Sequence, residues 1–137
     1  MTIIIDSSAT LAWIYADEIT IPITQVFDRV INGNAFVPAL WRLEVANSLQ
    51  MSIRRRRIDA AFRDAALGDL AMLNITTDPD TDVFAWSTTL QLASAYRLTV
   101  YDAAYLELAL RRGLPLATLD RELRAAGDAM GVTLLGV

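Results

Sequence analysis

Ile3-Ile4-Ile5-Asp6-Ser7-Ser8 is the stretch on which the fold turns. Three β-branched residues in a row, closed by an acid and two serines, predict a short strand from Thr2 to Asp6 that is buried on both faces. A strand with one wet face would alternate apolar and polar residues instead. Ser7 or Ser8 then caps a helix to about Ala16. Further along, Ile21 to Ile31 has a helical pattern with Pro22 in its first turn, and Asn32-Gly33-Asn34 stops it. Ala35 to Val37 is a second strand, and Leu40 to Arg57 a long helix. Asp59 caps a helix to about Leu73, Asn74 to Thr76 forms an edge strand, and Thr81 or Asp82 caps a helix to Tyr96. The remainder reads as helix from Asp102 to Arg112, strand from Leu114 to Thr118, helix from Asp120 to Ala126 and strand from Val132 to Leu135. Strands alternating with helices predict an α/β domain whose parallel sheet is covered on both faces. No linker, repeat or low-complexity run interrupts the pattern, so residues 1–137 are expected to form a single domain.

Hydrophobic residues make up 54% of the chain and its mean hydropathy is +0.35. A monomer of 137 residues has little room to bury so much, which predicts a protein partner or a dimer. Polar residues break every apolar run well short of the ~18 residues needed to span a bilayer. Asp6 also breaks up the N-terminal segment too early for a signal peptide. No membrane association and a cytoplasmic location are expected. There is no cysteine, so redox compartment leaves no mark.

There is also no histidine, and all twelve basic residues are arginine. Carboxylates are therefore the available metal ligands, and an oxygen-only site suits Mg²⁺ or Mn²⁺. Asp6 and Asp120 stand at the carboxyl ends of predicted strands, where open α/β sheets bind ligands. Glu44 shares a helical stripe with Leu40, Leu43, Asn47 and Met51, and an inward-facing glutamate requires a partner or a metal. Asp102 opens a helix. Each has a simpler reading: an N-cap for Asp6, Asp102 and Asp120, and a surface acid beside Arg42 or an ion pair for Glu44. If all four converge, the chemistry is metal-dependent cleavage of a phosphodiester. The net charge of −4 argues against nucleic acid, but setting aside these four acids leaves a balanced chain. Ser7 and Thr118 are hydroxyls placed to bond the acids beside them. Arg54, Arg55, Arg56 and Arg57 either contact phosphates or complement a helix C-terminus. Trp13, Tyr15 and Trp41 either stack on bases or pack internally. Glu107 reads as a surface acid facing Arg111, and Asp78, Asp80 and Asp82 as a solvated loop.

Ile3-Ile4-Ile5-Asp6-Ser7-Ser8, Pro38-Ala39-Leu40-Trp41-Arg42-Leu43-Glu44-Val45-Ala46-Asn47, Val100-Tyr101-Asp102-Ala103-Ala104-Tyr105 and Leu116-Ala117-Thr118-Leu119-Asp120 together resemble the PIN domain. More narrowly, they are similar to VapC-type toxins of bacterial toxin–antitoxin pairs. The resemblance spans essentially the whole chain. It implies a Rossmann-like three-layer sandwich with about five parallel strands, and a Mg²⁺- or Mn²⁺-dependent endoribonuclease holding one or two ions. The family's four acidic positions fall on Asp6, Glu44, Asp102 and Asp120, and its hydroxyl position on Thr118. It further implies a VapB-type antitoxin, an RNA substrate and a homodimer. With no histidine to serve attack by the 2′-hydroxyl, products carrying 5′-phosphate and 3′-hydroxyl ends are expected. The alternatives are a DNA nuclease of the same fold and a catalytically silent protein-binding module. A phosphoacceptor receiver domain is disfavoured because its strand-end lysine is missing.

Overall fold

The computed structural model describes all 137 residues. Its sheet has five strands, β1 (Thr2–Ile5), β2 (Asn34–Val37), β3 (Ile75–Thr77), β4 (Leu116–Ala117) and β5 (Leu134–Leu135). All are parallel, in the order β3-β2-β1-β4-β5. Eight helices connect them: α1 (Ser7–Ile14), α2 (Ile21–Asn32), α3 (Trp41–Arg54), α4 (Ala60–Ala71), α5 (Thr81–Phe84), α6 (Thr88–Tyr96), α7 (Val100–Arg112) and α8 (Arg121–Ala129).

The isoleucine triplet is the central strand, and Ile3, Ile4 and Ile5 are all fully buried. Side chains alternate between the two faces of a strand, so burial of three in succession requires cover on both sides. The α2 helix packs on β1 and β2, and α7 packs on β1 and β4. From β1 the chain builds outward through β2 and β3, then returns to place β4 on the other side of β1. The strand order therefore reverses between β1 and β4, with Ile5 paired to Ala117. Asp6 and Thr118 are the next residues on these two strands, at the switch point where such sheets open a crevice.

Several boundaries differ from the sequence reading, each for a local reason. Asp6, rather than Ser7 or Ser8, caps α1: its Oδ1 accepts the Ala9 N–H at 2.9 Å. Thr99 caps α7 by accepting the Asp102 N–H at 3.1 Å, so the helix starts two residues before Asp102. The helix expected over residues 81–96 is broken at 85–87. Thr81 is held by Asp78 and the Ala39 N–H, and Phe84 lies under the Arg111 guanidinium. These contacts fix α5 in one place while α6 packs on α7. The α3 helix ends at Arg54, and Arg56 adopts a left-handed φ of 59° that turns the chain toward α4. No helix is long and apolar enough to cross a membrane.

Candidate active site

Hydrogen bonds from the strand ends position Asp6. Its Oδ1 accepts from the Ala9 N–H and from the Ser8 hydroxyl at 2.7 Å, and its Oδ2 accepts from the Thr118 hydroxyl at 2.5 Å. Both hydroxyls are themselves fixed from β4: Ser8 Oγ accepts the Leu119 N–H, and Thr118 Oγ1 accepts the Asp120 N–H. The Thr118 hydroxyl thus bonds the carboxylate of Asp6 across the two strand ends and not that of its neighbour Asp120. The other hydroxyl on Asp6 is that of Ser8, not Ser7, because the first helical turn brings residue 8 back over its cap.

The start of α3 is tied to the same point. The Trp41 indole donates to Thr10 Oγ1 at 3.1 Å, and the Thr10 hydroxyl donates to the Asp6 carbonyl at 2.7 Å. The buried stripe of α3 is Trp41, Val45 and Leu49, while Leu43 and Asn47 face outward. Glu44 borders that stripe and is half-buried. Its Oε1 accepts from the Tyr105 hydroxyl at 2.5 Å. The sequence alone gives Tyr105 no role, because a tyrosine on an apolar helix face reads as core. The helical spacing from Asp102 to Tyr105 is the available signal.

Asp102 lies in the first turn of α7, half-buried, and Asp120 caps α8 through the Leu123 N–H at 3.2 Å. None of the four acids enters an ion pair. Burial raises the pKa of Asp6, and the charge of Asp102 adds to it, although three hydrogen bonds pull the other way. Burial likewise raises Glu44, reinforced by Asp102 and Asp6 and offset by Tyr105. Asp102 is raised by burial and then by the charge of Asp120. Asp6, Glu44 and Asp102 are thus linked by their charges, and Asp120 joins them only through Asp102. Burial, with the facing Glu44 carboxylate, also keeps the Tyr105 phenol protonated far above its ordinary range.

The donor set fits a hard divalent cation: four carboxylates, no arginine neutralising them, and three held at raised pKa. As the side chains stand, no group of three or more acids is gathered closely enough to hold a metal ion. Asp6, Glu44, Asp102 and Asp120 lie around the switch point without closing on a common centre.

Of the other singled-out residues, Arg57, Tyr15, Trp13, Trp41, Asp78 and Glu107 serve the scaffold. Arg57 pairs with Asp17 and Glu18 and lies 3.8 Å over the Tyr15 ring. Arg54, Arg55 and Arg56 are exposed and outside any ion pair. From Glu44 to Arg54 the helix rises about 15 Å. Trp13 stacks on Phe27 at 4.4 Å, and Trp41 is core. Two sequence readings are corrected. Asp78 is buried rather than solvated, and Glu107 is buried rather than on the surface. Arg111 bridges them at 2.6 and 2.9 Å, and Arg112 also reaches Asp78. Burial alone would raise Asp78, but the hydrogen bonds and charge of Arg111 hold its pKa below the ordinary value.

A parallel five-stranded α/β sheet with helices on both faces and acids beside its switch point defines a Rossmann-like architecture. The PIN domain family model matches residues 3–129, and the chain belongs to the PIN-domain family. PIN domains are nucleases and generally use divalent metal ions. Among solved structures, PAE2754 from Pyrobaculum aerophilum is 27% identical, with a TM-score of 0.68 over 92% of this chain and 84% of that one. FitAcB from Neisseria gonorrhoeae superposes with a TM-score of 0.66 at 13% identity, over 98% of this chain and 96% of that one. VapBC2 from Rickettsia felis, bound to a DNA fragment from their promoter, gives 0.65 at 11% identity, over 98% and 97%. The last two show likeness of fold. No curated protein matches the sequence.

Proposed function

We propose that this protein is a Mg²⁺- or Mn²⁺-dependent endoribonuclease acting as the toxin of a type II toxin–antitoxin pair. One observation supports the reading: Asp6, Glu44 and Asp102 are each raised in pKa by burial and by the charge of a neighbouring acid, Asp120 acts on Asp102, and none of the four is paired with a cation of the chain. Asp6, Glu44, Asp102 and Asp120 would hold one or two ions. When bound, such an ion supplies a Lewis acid that activates water and stabilises the leaving oxygen of a phosphodiester. The residues of the chain do the positioning. Ser8 and Thr118 hold the Asp6 carboxylate still, and Asp120 stays beside Asp102 through its cap to α8. No histidine is present to drive attack by a 2′-hydroxyl, so the products carry 5′-phosphate and 3′-hydroxyl ends. The exposed Arg54, Arg55 and Arg56 supply phosphate contacts remote from the acids. Arg57 is withdrawn from that role by its own ion pairs.

A VapB-type antitoxin, homodimerisation and a cytoplasmic location complete the reading. Support comes from the VapBC and FitAB neighbours and from large apolar residues exposed on the surface, including Trp86, Met72, Ile21 and Leu43. A groove of about 300 Å³ between α3, α4 and β3, lined by Trp41, Val45, Leu70 and Ile75, suits an apolar segment of such a partner.

The test is incubation of the purified protein with end-labelled RNA and with DNA of the same sequence, with Mn²⁺ and with EDTA. Cleavage of RNA alone, lost in EDTA, is expected. Cleavage of DNA alone would make the protein a DNA nuclease. Cleavage of neither would leave a silent module, and 2′,3′-cyclic phosphate ends would overturn the mechanism.

A further inference from the structure

The outer face of α6 is unlike that of its neighbours. From Val83 to Tyr96 no residue is charged, the longest such run in a chain that is 20% charged. By contrast, α3, α4 and α8 turn charged residues to the surface, Arg42, Asp64 and Glu122 among them. The inner face of α6 buries Thr89, Leu92 and Ala93, and the helix packs on α7. Its outer face, with the two residues that lead into the helix, forms a shallow concavity of about 550 Å³ lined by Trp86, Ser87, Leu90, Gln91, Ser94 and Ala95. Trp86 is 93% exposed and Leu90 47%. The lining is also symmetric about its own midpoint. Each position has a counterpart equidistant from the point between Leu90 and Gln91: Trp86 with Ala95, Ser87 with Ser94, and Leu90 with Gln91 itself.

We propose that a second copy of the chain docks on this stripe, α6 antiparallel to α6 across a twofold axis between Leu90 and Gln91. The inference rests on the homodimer proposed above and names its face. An isologous interface brings residue i to residue j and j to i, which is the symmetry the stripe already has. Each Trp86 then covers the small Ser94 and Ala95 of the second copy, and the two Ser87–Ser94 pairs meet on either side of the axis. A charge near a twofold axis faces its own copy and is repelled, so the missing charges suit self-association rather than a charged partner. The Gln91 amide carries both donors and an acceptor and can pair with itself. Interface cores are likewise poor in charge and rich in tryptophan.

The experiment is sedimentation velocity on the full-length protein over a range of concentrations. The wild type is expected at twice the chain mass of 15.1 kDa. Gln91→Glu and Gln91→Arg each place like charges beside the axis on an exposed helix position, and each alone is expected to sediment as a monomer. Mixed in equal amounts they are expected to return to the dimer mass, because opposite charges now face each other. Trp86→Ala, which adds no charge, is expected to weaken self-association by about 30-fold or more. A thermal melt confirms that each variant is folded, and Trp86→Ala carries the test alone if a charged variant is not. Charged variants that stay dimeric, or a mixture that stays monomeric, overturn the α6 face and leave the homodimer standing. A monomeric wild type overturns both, and leaves the stripe to a different partner. The nuclease reading is decided separately by the cleavage assay.

Discussion

Replacing Arg111 with methionine leaves two buried acids facing each other with most of their counter-charge gone. The Asp78 side chain is 0% exposed and that of Glu107 5%. Removing one partner of a buried ion pair costs about 3–5 kcal/mol, because the remaining charge keeps its desolvation penalty. Arg112 still reaches Asp78 at 3.4 Å, which argues for the lower end, about 3 kcal/mol. At roughly 2.1 cal/mol/K per residue, the unfolding entropy is about 0.29 kcal/mol/K, so the melting temperature falls by about 10 °C. The assay is thermal unfolding followed by circular dichroism at pH 7 and again at pH 4.5. In the wild type, Asp78 has a depressed folded pKa, so its stabilisation persists above its unfolded value and is lost only as pH falls through the folded one. In the variant the orphaned Asp78 takes up a proton more readily on acidification, so the gap between the two proteins narrows at pH 4.5. Neutralising all three partners at once, with Asp78→Asn, Glu107→Gln and Arg111→Met in one chain, restores most of the loss. A decrease of less than about 3 °C at pH 7, or a gap that does not change with pH, would refute the reasoning.

Asp6→Asn is expected to abolish cleavage without lowering the metal-free melting temperature. Asparagine remains a good helix cap and removes a buried charge, against one lost hydrogen bond worth about 1 kcal/mol; a drop of many degrees would contradict the acidic-cluster reading. The raised pKa values of Asp6, Glu44 and Asp102 mean that the metal-free fold binds more protons than the unfolded chain between the unfolded and folded pKa values. Their contribution is therefore full below the unfolded values near 3.8 and 4.5 and is lost as pH rises through the raised ones. Melting temperature in EDTA should rise on going from pH 7.5 to 5.5, and a fall over that interval would speak against it. Ser8→Ala is expected to reduce cleavage about tenfold or more while Ser7→Ala leaves it nearly unchanged; equal effects in initial-rate assays would remove the distinction drawn from the hydrogen bonds.

The architecture is readable because one physical rule governs it. A run such as Ile3-Ile4-Ile5 can be satisfied only inside a covered parallel sheet, and the acids at strand ends then mark the crevice. The expected N-caps hold for Asp6 and Asp120, whereas Thr99 takes the cap expected at Asp102. Helix starts are ambiguous where a hydroxyl and an acid both fit the cap, as at Thr99 and Asp102, since the choice depends on where the preceding turn delivers the chain. Glu107 and Asp78 look solvated in the sequence because their shared cation, Arg111, lies far from Asp78 along the chain, and no periodicity joins a loop to a helix. Tyr105 escapes notice for the same reason, since its partner Glu44 is set by tertiary placement, whereas Ser8 is overlooked because only the first helical turn decides which serine returns to Asp6.

Anomalous X-ray scattering from crystals grown with Mn²⁺ tests the central claim most directly. The account predicts one or two peaks within ligand distance of Asp6, Glu44, Asp102 and Asp120, lost in Asp6→Asn. Crystals of a protein that cuts RNA in Mn²⁺, yet with no peak at these four carboxylates or with the ion held elsewhere, would contradict it.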